Sequence, residues 1–445
     1  MKLLKYLLIP SLAFFGINTM QLSAQSNCDF PNTGLTPFLD LQTGYYLGYQ
    51  AGLYPGGSNE LTGPHLKSGK TIANGIKPLD GDGNINFGDG VVLVAGFGPS
   101  VPGHIYNKFV EHVRTPSDKY DLNPCLDALN LCVGGKDIGY ATIDSTSDSY
   151  WESLVQKVYD VGYTPEQVQI GWMYFNSKGL TVPPIFPDKA LETKALDIIF
   201  INKAKEHFPN LKIMYISSRH FGGYADTTIV EYYSLAEPTS YQNSWTVKWL
   251  VEEQINNTNP MLQYKGANPK APYIMWGPNF WCDGDAKRDY DDKKYICELS
   301  YSASDGYHLS DQQDSKDALD ILDVMYYGNV GKQFTKNSAV WENCIPWLDT
   351  LAGGLREKPE VATINNLTIS PNPGYDEFYI GLPNENYPAE ITILNELGQI
   401  VDKFYHEENF STSVLIDMSG KPNGIYFAKV MMNNKISTLR FIKQG

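Results

Sequence analysis

The stretch GVVLVAGFGPS, Gly90–Ser100, decides the fold. Its first eight residues are apolar without alternation, so both faces of the segment must be buried, as in a strand of a parallel sheet. The Gly-Phe-Gly-Pro-Ser that follows has the chemistry of a turn. Four further runs have the same character: ALNLCV (128–133), QVQIGWMY (167–174), LKIMYIS (211–217) and PYIMW (272–276). Helical patterns lie between them. Trp151, Leu154, Val155 and Val158 recur at helical spacing behind an expected Ser149/Glu152 capping box. A helix is expected from about Lys189 to Phe208 with Asp188 as its cap. QNSWTVKWLVEEQI (242–255) reads as another, and a closing helix begins at Ser310 with Gln313 completing a second capping box. Strands alternating with helices predict an α/β fold, a parallel sheet covered on both faces. Ligands bind such sheets beyond the carboxyl ends of the strands. The turn at 97–100 and the loop before the closing helix both belong to that rim.

The bulk properties narrow the function classes. With 35 Lys+Arg against 50 Asp+Glu the net charge is −15, which opposes binding to a phosphate backbone; nucleic acid is excluded as a partner. Thirty tyrosines and eight tryptophans supply a core and suit sugar-facing surfaces. Lys2 and Lys5, the apolar run Tyr6–Ile17 and the small residues at Leu22–Ala24 read as a signal peptide over residues 1–24. No later run is apolar enough to span a membrane, so a secreted protein is expected. Six cysteines fit that compartment, with Cys282–Cys297 and Cys125–Cys132 the expected bridges. No C-x-x-C pair suggests zinc, and no cofactor is expected. LDGDGNINFGDG (79–90) offers Asp80, Asp82, Asn84, Asn86 and Asp89 to calcium, but it lacks the EF-hand glycine and glutamate and reads as a polar turn.

An α/β domain is assigned to residues 25–351 and a linker to 352–364. From residue 365 to 445 the texture changes to short alternating strands, an all-β sandwich. Ser370-Pro371-Asn372-Pro373, NELGQIV (395–401), IDMSGKPNGIYFAKV (416–430) and the closing FIKQG resemble the C-terminal sorting domain of the type IX secretion system of Bacteroidetes-type bacteria. That resemblance implies passage across the outer membrane by the type IX machinery and attachment at the cell surface. The alternative for such a sandwich is a carbohydrate-binding or adhesive module.

In SDGYHLSDQ (304–312), an aspartate precedes a histidine by three residues. A carboxylate that accepts the Nδ1 proton leaves Nε2 to take a proton from a hydroxyl, so Asp305 and His308 form a candidate base and its orienting acid. The plain alternative is a turn with a helix cap. DGYHLS, together with SSRHFGGY (217–224), EPTSYQNSWTVKWLVEEQI (237–255) and WGPNFWCDG (276–284), resembles the SGNH (GDSL-type) hydrolases over about residues 45–330. The resemblance implies a three-layer α/β/α, flavodoxin-like fold and ester hydrolysis by a serine. The family's Gly-x-Ser is here Gly96-Phe97-Gly98, so glycine stands at the nucleophile position and Ser100, two residues on, is the candidate. Ser58 reads as a loop residue. The resemblance places the oxyanion donors at Gly139, with Gly134 and Gly135 as alternatives, and at Asn176. Arg219 is a candidate clamp for a carboxylate or sulfate, or else a structural ion pair. Trp276 and Trp281, beside Phe280, are candidates for stacking on a sugar or for core packing. Two functional readings follow: a secreted SGNH-like esterase deacylating a polysaccharide, or a catalytically inactive glycan-binding surface protein on the same fold.

Overall fold

A computed structural model describes residues 28–29, 31–178, 185–227, 233–302, 305–344, 367–383, 389–395, 400–406, 413–432 and 435–444. The segments expected as signal peptide (1–24) and linker (352–364) lie outside them. Five strands form one parallel sheet: β1 (Val92–Phe97), β2 (Leu126–Asn130), β3 (Val168–Met173), β4 (Ile213–Ile216) and β5 (Tyr273–Trp276). Their order is β2-β1-β3-β4-β5. All six residues of β1 and of β3 are buried, which is why both read as largely apolar runs; the one polar residue among them, Gln169 of β3, donates to Lys77 O. Six longer helices accompany them: α1 (Gly63–Asn74), α2 (Ser100–Arg114), α3 (Asp144–Asp160), α4 (Asp188–His207), α5 (Thr239–Ile255) and α6 (Asp311–Tyr327). Right-handed crossovers put α2, which steps back to β2, on one face, and α3, α4 and α5, which step the other way, on the opposite face. Consistent with this, α6 packs on α2, and α4 on α5.

Close packing fixes the glycine of β1. A Cβ on Gly96 would lie 2.3 Å from the Tyr106 ring, whose hydroxyl reaches back to donate to Val94 O at 2.9 Å. Helix α2 therefore sits against β1 at a distance only glycine permits, and its first residue stands at the carboxyl rim.

Two helix starts differ from expectation. Helix α3 begins at Asp144, so Ser149 lies inside it and bonds Thr146 O rather than capping. Asp188 is the first residue of α4, preceded by Pro187, and makes no cap bond. Ser310 does cap α6, accepting from Gln313 N at 3.3 Å, but the Gln313 side chain turns to Asp317.

Both expected disulfides are corrected. The bridges are Cys28–Cys297 and Cys125–Cys344, and Cys132 and Cys282 are free. Cys125 and Cys132 flank opposite ends of β2. The six residues between them, five in β2, hold them about 20 Å apart, against the roughly 7 Å a disulfide spans. Cys282 is held in the core beside Arg288, which donates to Asn279 O and Trp281 O. In the 79–90 loop, Asp80 Oδ1 accepts from the amides of Asp82 and Asn84, and Asn86 Oδ1 from those of Gly88 and Asp89. These are turn-forming bonds, and no cluster of three metal-binding side chains occurs among the described residues.

The C-terminal region is antiparallel: β6 (Thr368–Ser370), β7 (Glu377–Gly381), β8 (Ala389–Asn395), β9 (Ile400–His406), β10 (Ser413–Asp417), β11 (Gly424–Met432) and β12 (Lys435–Lys443). They make two sheets, β9-β8-β11-β12 and β10-β7-β6. Phe378 and Ile380 of the second sheet share one core with Ile391, Ile393, Val430 and Phe441 of the first.

Candidate active site

The turn after β1 is shaped by what surrounds Gly98. A Cβ there would lie 2.3 Å from Pro102 Cγ and 2.7 Å from Tyr174 O, so this position has no room for a side chain. The neighbouring strands' exits are bonded to this turn. Val133 N donates to Gly98 O at 2.8 Å, and Tyr174 N donates to Phe97 O at 3.2 Å. The chain passes Pro99 in extended conformation and enters α2 at Ser100. The first amides of a helix have no intrahelical acceptor and carry the positive end of its dipole.

The loop before α6 arrives opposite. Asp305 Oδ1 accepts from the amides of Tyr307 (3.0 Å) and His308 (2.9 Å), closing the loop on itself. Gly306 has φ +69°, and a Cβ on it would lie 1.8 Å from Tyr224 O. The result is a hydrogen-bonded chain. Ser100 Oγ lies 2.8 Å from His308 Nε2, and His308 Nδ1 lies 2.6 Å from Asp305 Oδ2. An ionised Asp305 can only accept, so His308 carries its proton on Nδ1 and Ser100 donates to Nε2. Burial would raise the Asp305 carboxyl, but the bonds from the His308 ring and the two amides outweigh it and hold it below its ordinary value. His308 keeps 22% of its side-chain exposure, so the site is reachable from solvent.

Four residues that the sequence did not single out complete the surroundings. Buried His220, after β4, accepts from Tyr174 OH at 2.5 Å on Nδ1 and donates from Nε2 to Tyr307 O at 2.9 Å. Burial, then the Arg219 charge, push its pKa well below the ordinary value, so it is a neutral strut between the β3 exit and the His308 loop. The Tyr307 ring packs against His308 with centroids 4.3 Å apart. Exposed His104, one helical turn after Ser100, lies 5.7 Å from the His308 ring. A histidine one turn after a candidate serine was the only sequence signal among these; the other three contacts require the fold.

The remaining candidates separate. A Cβ on Gly134 would lie 3.9 Å from Ser100 Cβ, whereas Gly139, in the short helix Ile138–Thr142, has Asp137 and Ile143 as nearest neighbours. Gly134, not Gly139, is the glycine beside Ser100. Asn176 is buried and bonds Arg219 Nη1 through Oδ1 at 3.2 Å. Trp276 and Trp281 are buried, donating to Leu53 O and Glu237 Oε1; they pack the core rather than face a ligand.

Residues 368–444 match the model of a secretion-system C-terminal sorting domain. That tail marks the chain for type IX export, to the cell surface or beyond. No helix among the described residues is long and apolar enough to cross a membrane. No curated protein matches the chain. Among solved structures, PorZ, a surface component of the type IX secretion system of Porphyromonas gingivalis, aligns at 18% identity and TM-score 0.16. That alignment covers 19% of this chain and only 12% of PorZ. A Cellulomonas fimi endo-β-1,4-mannanase double mutant aligns at 9% identity and TM-score 0.22, over 85% of this chain and 97% of that one. Neither likeness is strong enough to carry fold or function.

Proposed function

We propose that the chain is a secreted or surface-held carboxylic-ester hydrolase of SGNH type that deacylates a polysaccharide. The α/β unit, residues 25–351, carries the chemistry, and the tail, residues 365–445, directs export. The observation that carries this reading is the unbroken chain from Ser100 Oγ through His308 to Asp305 at the carboxyl rim of the sheet. The strand order β2-β1-β3-β4-β5 supports it, being the flavodoxin-like order that the resemblance implies.

In this mechanism Ser100 Oγ attacks the ester carbonyl carbon while its proton passes to His308 Nε2. Asp305 orients the ring and stabilises the imidazolium. The carbonyl oxygen becomes an oxyanion held by the backbone amides of Ser100, at the head of α2, and Gly134. His308 then gives its proton to the departing sugar hydroxyl, leaving an acyl-serine. Water, deprotonated by His308, releases the acid and restores Ser100. The acyl–polysaccharide substrate class follows the family resemblance. Purified mature protein should hydrolyse p-nitrophenyl acetate, and His308→Ala should abolish that activity. Equal rates for the two proteins would remove the reading.

A further inference from the structure

Arg219 is 2% exposed, yet no acidic group pairs with it among the described residues. Its Nε donates to Ser240 Oγ and its Nη1 to Asn176 Oδ1, both neutral acceptors at 3.2 Å. Nη2 has no partner. Glu237 feels the guanidinium's charge but gives its oxygens to Gly222 N, Tyr241 N and Trp281 Nε1. Buried charges are normally paired, because desolvating an ion without a counter-charge costs several kcal/mol.

The guanidinium, its carbon 5.9 Å from the Tyr174 ring centroid but with no carboxylate bonded to it, faces a cavity whose lining includes Asn176, Ser177, Lys189, Gln242 and Asn243, and no carboxylate. Lys189, the second cation, is already paired with Glu192. Two further lining atoms lack partners, Asn176 Nδ2 and Gln242 Oε1, on side chains each 4% exposed. The Gln242 amide meets Tyr46 OH, which can donate as well as accept, so turning the amide over keeps that contact and aims a third donor inward. The free volume is about 10 Å³, room for a water or the two oxygens at the tip of a carboxylate, but not for a sugar ring.

We propose that this cavity is a carboxylate-binding site, with Arg219 Nη2 and Asn176 Nδ2 as its donors. It lies beyond the carboxyl ends of β3 and β4, on the same rim as Ser100, and it does not depend on the triad's chemistry. A planar anion accepting from both unpartnered donors satisfies what the fold leaves unpaired. Its source is either an acidic sugar or a free short acid.

Calorimetric titration with sodium acetate and with sodium glucuronate, at matched ionic strength, tests it. Wild type should bind at least one of them saturably, and its melting temperature should rise with concentration. Ser100→Ala should bind equally well, which separates this site from the esterase reading. Asn176→Asp places a fixed carboxylate beside Arg219; it should bind at least tenfold more weakly and, without ligand, melt above wild type. Glucuronate binding assigns the site to an acidic sugar, and acetate binding alone to a free acid. No saturable binding of either to wild type, as for a cavity holding only water, or undiminished binding to Asn176→Asp, would overturn the proposal.

Discussion

A side chain at position 98 has nowhere to go, because Pro102 and the Tyr174 carbonyl already occupy its place. Gly98→Ser should therefore destabilise the fold by roughly 1–3 kcal/mol, read as a lower denaturation midpoint. It should also fail to rescue Ser100→Ala, because the hydroxyl that meets His308 comes from the first residue of α2, two positions on. Ser100→Ala and His308→Ala should each lower kcat on an aryl ester at least about a thousandfold. Asp305→Asn should cost a comparable factor, since an amide can leave the His308 proton on the wrong nitrogen.

The loop that carries His308 is held by other elements. His220 donates to Tyr307 O, the residue before His308, and Tyr174 fixes the His220 tautomer. His220→Phe should lower kcat about tenfold, the cost of one buried hydrogen bond. KM should stay nearly constant, and His220→Gln, which can still donate, should recover part of the loss. A change in KM alone would contradict this positioning role. All five parallel strands were readable as short, mostly apolar runs, because both their faces are buried; the second, expected over 128–133, lies at Leu126–Asn130, where buried Asp127, paired with Arg114, breaks the apolar pattern. The start of α3 was not, because its first turn, Asp144–Asp148, is wholly polar and carries no periodic signal. Asp305 and His308 could be paired as candidates from local spacing, and Ser100 from its place after the first strand. Gly134 over Gly139, His220 and the partners of Cys125 and Cys297 depend on which loops meet in space, and chain spacing does not encode that.

Long-range ties and buried charge govern the molecule as a whole. Cys28–Cys297 and Cys125–Cys344 join positions 269 and 219 residues apart. Reducing them should destabilise the protein by about 2–5 kcal/mol each, seen as a lower melting temperature in dithiothreitol. Asp314 in α6 is buried with Oδ1 unpartnered; burial, then Asp317 and Asp311, push it up to about 8 from 3.8. A raised folded pKa means that its stabilising contribution is complete below about pH 4 and is lost as pH rises through about 8. Asp314→Asn should melt above wild type at pH 8.5, and the gap should narrow toward pH 4.5. The proposed activation of Ser100 as a nucleophile by His308 is tested by a fluorophosphonate probe followed by intact-mass and peptide mapping. One adduct is expected, on Ser100, absent in both Ser100→Ala and His308→Ala. An unlabelled wild type, or an adduct that persists in Ser100→Ala, would contradict it.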